Sequence, residues 1–337
     1  MRSHLDGDAI AELPPEMPGG LTFHLPMELV ALRDAGATDD IVLARRNERL
    51  AEAYAEGLVD PPLYRWAVGR YGPTASALLS QDPDRASAAV AEIEPLADGL
   101  AGAAFHGLIR LGYGAWQRDA SEIARGLGYM RTRRQVLAAP VQTSNVPSRN
   151  RSSVDLPSSE KRAGATVFDL LNLAAGTVEC STPDDSRSPT ARSLGLAAGA
   201  LVQRNPSSFV AVHALTGFHA LCELHLLVAG DAPNGTAQAP NGTAQAPSPA
   251  WWMSYATALR ACRLLVESEP PEAVAGYDDA LGTVNTIDDL VAAAVRSNET
   301  HDVKLAVSLR RLVRFGLFSE AEACSIGVSR LAAAHLR

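Results

Sequence analysis

The chain has 337 residues, a formal net charge of −8, 47% hydrophobic residues and only 5% aromatics. That much apolar material supports a sizeable core and excludes a disordered chain. Acids and bases are interspersed with no basic stripe, so nucleic acid is not an expected partner.

Residues 1–20, MRSHLDGDAIAELPPEMPGG, read as a loose arm without a signal-peptide core. No run of 18 apolar residues occurs, so no membrane-spanning helix and a cytoplasmic location are expected. Leu25 to about Ala35 reads as a helix, with Pro26 in its first turn and Gly36 at its end. Further helical patterns follow at 39–56, 61–71, 73–80, 84–97 and 100–117, and 118–138 continues as helix. Residues 139–163 are polar, with three prolines and many serines, and predict a flexible insert. Helices resume at 167–175 and 190–202. Ser207 and Ser208 then open the apolar helix FVAVHALTGFHALCELHLLVAG. The tandem APNGTAQ repeat at 232–245 lies in a second flexible insert, about 232–248, whose Asn234 and Asn241 sequons read as loop composition. The last helices are expected at 249–267, 270–278, 286–296, 299–315 and 319–335. The fold class is therefore all-α: one large helical domain over 21–337, the alternative being two helical halves split near residue 150.

Cys180, Cys222, Cys262 and Cys324 lie far apart without a CxxC pair, so reduced, mostly buried thiols are expected. No Walker loop, GxGxxG after a strand, GxSxG elbow or HExxH is present. No recognisable motif binds NADPH or flavin.

The candidate chemistry sits on histidines. His213, His219 and His225 are spaced by six, and each step rotates the side chain by about 120° on a helix. They therefore point three ways and cannot share one ion. His301 and Lys304 are three apart on one helix face. Lys304 lies among Leu305, Ala306, Val307 and Leu309, so its stem either snorkels to the surface or meets an acid on a neighbouring helix. His106 lies on a helix with Gly107, Gly112 and Gly114, where either another backbone or a ligand comes close. His24 precedes a helix start.

These four segments carry a resemblance. LTFHLPMELVALRDAGA, AFHGLIRLGYGAW, VHALTGFHAL and THDVKLA resemble, in order, four His-bearing stretches of the questin oxidase family. The resemblance spans residues 24 to 304. It implies an all-helical oxygenase that oxidises, or ring-cleaves, polycyclic aromatic polyketides such as anthraquinones with O₂, as a monooxygenase or dioxygenase. It further implies a non-haem Fe(II) held by His24, His106, His213 and His301, with Lys304 as a carboxylated lysine. The chain departs from the family at Met27 and Glu28, where relatives carry a His-His pair, and at Arg110, where a second His often stands. Glu28 would then serve as a substitute oxygen ligand. Two other readings stand beside the oxygenase: a catalytically inactive helical binding protein, and a metal-dependent hydrolase on the same scaffold.

Overall fold

A computed structural model of the chain describes residues 23–55, 62–137, 171, 190–229, 249–269 and 284–335. Among these residues there are twelve α-helices, one 3-10 segment and no strand. The helices are α1 (Leu25–Asp34), α2 (Asp39–Ala55), α3 (Pro62–Leu78), α4 (Pro83–Ile93), α5 (His106–Gln117), α6 (Ala120–Thr132), α7 (Ala191–Arg204), α8 (Phe209–Ala229), α9 (Pro249–Glu267), α10 (Ile287–Arg296), α11 (Thr300–Arg314) and α12 (Glu320–His335). The expected arm at 1–20, the inserts at 139–163 and 232–248, the helices near 167–175 and 270–278, and Cys180 lie outside the described residues.

Local chemistry sets several helix starts. Asp82 and Asp119 each accept two backbone N–H groups at the openings of α4 and α6. Thr286 and Asp289 form a reciprocal capping box on α10. The all-α expectation holds, with four local differences. The helix expected at 84–97 ends at Ile93 and gives way to a 3-10 segment, Glu94–Gly99. The helices expected at 61–71 and 73–80 are one helix, because α3 runs through Pro73 while packed along α6. The helix expected from 118 to 138 ends at Thr132. The segment expected as helix from residue 100 is broken: Ala103, Ala104 and Phe105 have φ of 51°, 50° and 65°. Three consecutive left-handed residues with Cβ atoms are disfavoured by about 1–2 kcal/mol each. Only surrounding packing can hold them, and Phe105 is buried against α8 at Gly217.

The central element is α8, which packs against α5, α7, α9 and α11. One continuous hydrophobic cluster extends from Phe23 to Leu331 across both halves of the chain. α8 is long and apolar enough to cross a membrane, with mean hydropathy 1.3 over its most apolar window. His213, Thr216, His219 and Glu223 interrupt any strict apolar run, as the sequence indicated, but the average stays high. Of that window, 78% is buried among the other helices. The three described cysteines, Cys222, Cys262 and Cys324, are free and buried.

The glycines of α5 serve helix packing. A Cβ on Gly112 would lie 2.4 Å from both Cα and Cβ of Ala220 on α8, and one on Gly107 would lie 2.8 Å from the backbone nitrogen of Met130 on α6. Gly112→Ala is therefore expected to destabilise the protein by about 1–3 kcal/mol through overpacking. Gly69→Ala, on a helix position with open space around it, should stabilise by about 0.5–1 kcal/mol. Urea melts of the two variants check both signs.

Candidate metal centre

Four helices, or the residues that open them, deliver four imidazoles to one place. His24 stands at the N-cap of α1, His106 opens α5, His213 lies one turn into α8 and His301 is the second residue of α11. Ring centroids are 4.8 Å apart for His24 and His106, 4.4 Å for His106 and His213, 4.7 Å for His24 and His301, and 5.0 Å for His213 and His301. One nitrogen from each of His24, His106 and His213 lies within 4.8 Å of the other two.

The tautomers follow from the outer hydrogen bonds. His106 Nδ1 meets the carbonyl of Ala103, and His213 Nδ1 meets the carbonyl of Phe209 at 2.8 Å. A carbonyl only accepts, so both Nδ1 atoms carry the proton. Each neutral ring then presents a bare lone pair at Nε2. Yet His106 Nε2 lies 2.9 Å from His213 Nε2 and 2.6 Å from His24 Nε2. A proton on His24 Nε2 can occupy one of these contacts; the His106–His213 contact remains lone pair against lone pair. A cation among the three nitrogens relieves it. Bonds of about 2.1 Å from one ion place neighbouring ligand nitrogens roughly 3 Å apart, close to the spacings present. The left-handed turn at 103–105 is what aims the Ala103 carbonyl at His106.

Burial is the main cause that holds His24, His106 and His213 well below the ordinary value of 6.5; the charge of Lys304 and the neighbouring imidazoles act in the same direction. His301 is lowered too, by burial and then by Lys304, against the opposing pull of Glu299. Its Nδ1 lies 2.9 Å from Glu299 Oε1, while its Nε2 is buried and, among the described residues, without a hydrogen-bond partner.

Lys304 is 1% exposed and its Nζ has no hydrogen-bond partner among the described residues. Neither ordinary account of it holds: the stem does not snorkel out, and no acid among the described residues meets the amine. Burial pulls it down from 10.5 to about 8, opposed by the charges of Glu299 and Glu28. After burial, its charge is the largest influence lowering His24 and His106, so the amine stands near those rings.

The three positions that depart from the family pattern lie outside the cluster. Glu28 is fully buried and saturated: Arg45 Nη1 donates to it at 2.5 Å, Thr300 Oγ1 at 2.7 Å and Arg49 Nε at 3.4 Å. Its expected role as a substitute oxygen ligand is corrected to that of a tie between α1, α2 and α11, because its oxygens are already taken by donors. Met27 is part of the apolar core. Arg110 forms a two-pronged pair with Glu122 on α6, at 2.8 and 3.2 Å.

The histidines along α8 diverge. His219 Nδ1 meets Ser308 Oγ at 3.0 Å and its Nε2 meets Glu223 Oε1 at 3.0 Å, with Arg311 Nε on the same carboxylate at 2.7 Å. His219 and Ser308 are both 0% exposed, so this Ser–His–Glu line is a closed core network with no access for a substrate. His225 lies beside Trp252, with ring centroids 5.7 Å apart.

Sequence reasoning missed three residues around the cluster. Phe209 lies against His213, with ring centroids 3.8 Å apart and planes tilted by 33°, and it is 38% exposed, so it stands at the rim. Glu299 orients His301, and Arg330 of α12 holds Glu299. An acid two residues before a histidine is the only local signal, and it is a weak one.

His213→Ala is expected to lose most bound metal. His219→Ala should keep it but lose about 1–3 kcal/mol of stability, since Ser308 and Glu223 lose a buried partner; metal analysis beside urea melts separates the two. The pH dependence has a definite sign. The unfolded chain protonates its histidines near 6.5 while the folded metal-free protein does not, so the unfolded state binds more protons and stability falls as pH drops below that value. Melts of metal-free protein between neutral and mildly acidic pH check this, and bound metal should deepen the loss because protons then compete with it. Compared with family models, curated proteins and solved structures, the chain matches none, so a functional reading rests on this geometry and on the four sequence segments.

Proposed function

We propose that the protein is a mononuclear non-haem iron oxygenase, questin oxidase-like, that oxidises and in the fullest case ring-cleaves a polycyclic aromatic polyketide. The observation that carries the metal-binding part is the unrelieved approach of His106 Nε2 and His213 Nε2 within a buried, all-nitrogen donor set. Imidazole suits Fe(II), and iron held there would supply the redox chemistry needed to activate O₂. His24, His106 and His213 would be ligands, joined by His301, whose buried Nε2 has no hydrogen-bond partner among the described residues. Phe209, exposed beside the rings, offers an aromatic face to a flat substrate.

Lys304 completes the reading. An ammonium has no lone pair and would repel a cation. The neutral amine, favoured by burial, attacks the carbon of CO₂ and releases a proton, leaving a carbamate on a long stem. That carboxylate-like group would supply an oxygen donor beside His301 and offset part of the ion's charge.

A second reading is favoured by the three-His set itself, which also suits a catalytic zinc with an open position. It makes the protein a hydrolase. Purified protein should carry, or take up anaerobically, close to one equivalent of iron, and it should couple O₂ uptake to loss of an anthraquinone-type substrate. Less than about a tenth of an equivalent of any transition metal after reconstitution would sink both metal readings and leave a non-catalytic binding protein. Label from isotopic O₂ in the product distinguishes oxygenation from hydrolysis. Lys304→Ala should lose metal and activity and not regain them with bicarbonate, whereas wild-type protein stripped of CO₂ should regain metal affinity when bicarbonate returns.

A further inference from the structure

The cluster's histidines differ in what holds them from outside. His106 and His213 donate Nδ1–H to backbone carbonyls three and four residues earlier, contacts produced by their own local chain. His301 instead meets a carboxylate, Glu299 Oε1, at 2.9 Å. That carboxylate is itself fastened. Arg330 Nη2 donates to Glu299 Oε2 at 2.7 Å, so each oxygen has its own partner. The rest of the Arg330 fork is also used: Nε donates to Asp302 Oδ1 at 2.7 Å and Nη1 to the carbonyl of Pro206 at 2.9 Å. Arg330 is 6% exposed, where a guanidinium with every edge bonded is at its most geometrically exacting. The fork therefore spans from α12 to both the opening of α11, which carries His301 and Lys304, and the turn before α8, which carries His213.

We infer that Glu299, locked by Arg330, is a positioning residue that fixes the His301 ring with Nδ1 protonated and Nε2 turned to the cluster. A carboxylate on the outer nitrogen also makes the inner nitrogen a better donor than a carbonyl would. Glu299 is not itself free to bind an ion, since its second oxygen is held by Arg330. The inference rests on the metal-binding reading for its use, but its geometry is testable without metal.

The test uses the full chain with cobalt(II) as the probe, titrated against a chromophoric chelator, and nitrogen-15 NMR of the histidine rings in metal-free protein. Glu299→Ala should weaken cobalt binding about 10–100-fold, with Glu299→Gln, which keeps an acceptor but not the charge, falling between it and wild type. In metal-free protein His301 should be a single Nδ1–H tautomer in wild type and a mixture in Glu299→Ala. Arg330→Met should show a weaker version of the alanine phenotype. Glu299→Gln preserves shape, so it carries the test if the alanine variant fails to fold: with one accepting oxygen for the two donors His301 Nδ1–H and Arg330 Nη2–H, it must lower cobalt affinity. Cobalt affinity within about twofold of wild type in both Glu299 variants would overturn the inference, as would an unchanged His301 tautomer in Glu299→Ala. If wild-type protein binds no cobalt while the tautomers behave as expected, the metal reading fails and the positioning of His301 stands.

Discussion

Two unprotonated nitrogens facing each other at 2.9 Å are the constraint on which the rest of this structure depends. Lone pairs at that distance repel, and burial removes the water that would otherwise separate them. Adding a proton is the ordinary remedy, but enclosure and the neighbouring rings disfavour the charged imidazolium. The arrangement is thus held by the fold against its own electrostatics. Such local frustration in an otherwise consistent core is where function is expected to sit.

Much of the surrounding architecture acts to keep those rings converged. The left-handed turn at Ala103–Phe105 carries backbone strain and aims the Ala103 carbonyl at His106. Gly217 lets Phe105 lie close to α8, and Gly112 lets α5 approach α8 at Ala220, so that His106 and His213 meet. Glu28 binds Arg45, Arg49 and Thr300 and so joins the helix after His24 to the helix of His301. Arg330 joins the opening of α11 to the turn before α8. Each tie is a charged group with its partners in place, the condition under which burying charge is tolerated.

The core holds a second polar network, and its contrast with the first is instructive. His219, Ser308, Glu223 and Arg311 satisfy one another with ordinary hydrogen bonds. Its members resemble a nucleophile, base and acid in sequence of contact, yet the network is closed and complete. The histidine cluster is the opposite: among the described residues His301 Nε2 and Lys304 Nζ are buried without hydrogen-bond partners, and Phe209 beside the rings is partly exposed. Chemistry that needs an additional participant fits the incomplete site and not the complete one.

Helix content was legible in the sequence because it depends on short-range properties: propensity, caps and apolar spacing. Most helix ends fell within a residue or two of expectation. The helical rotation likewise separates His213 from His219 and His225, and puts His301 and Lys304 on one face, because side-chain direction along a single helix is a local matter. The family-like segments named the four histidines, but nothing in one dimension brings them together. Tertiary packing decided their convergence and the burial of Lys304. It also turned Glu28 from a candidate ligand into an arginine-bound tie, carried α3 through Pro73, and held residues 103–105 left-handed. These features depend on contacts between residues far apart in the chain, such as Glu28 with Thr300 or Arg330 with Pro206, whose free energies override local preference and leave no periodic trace in the sequence.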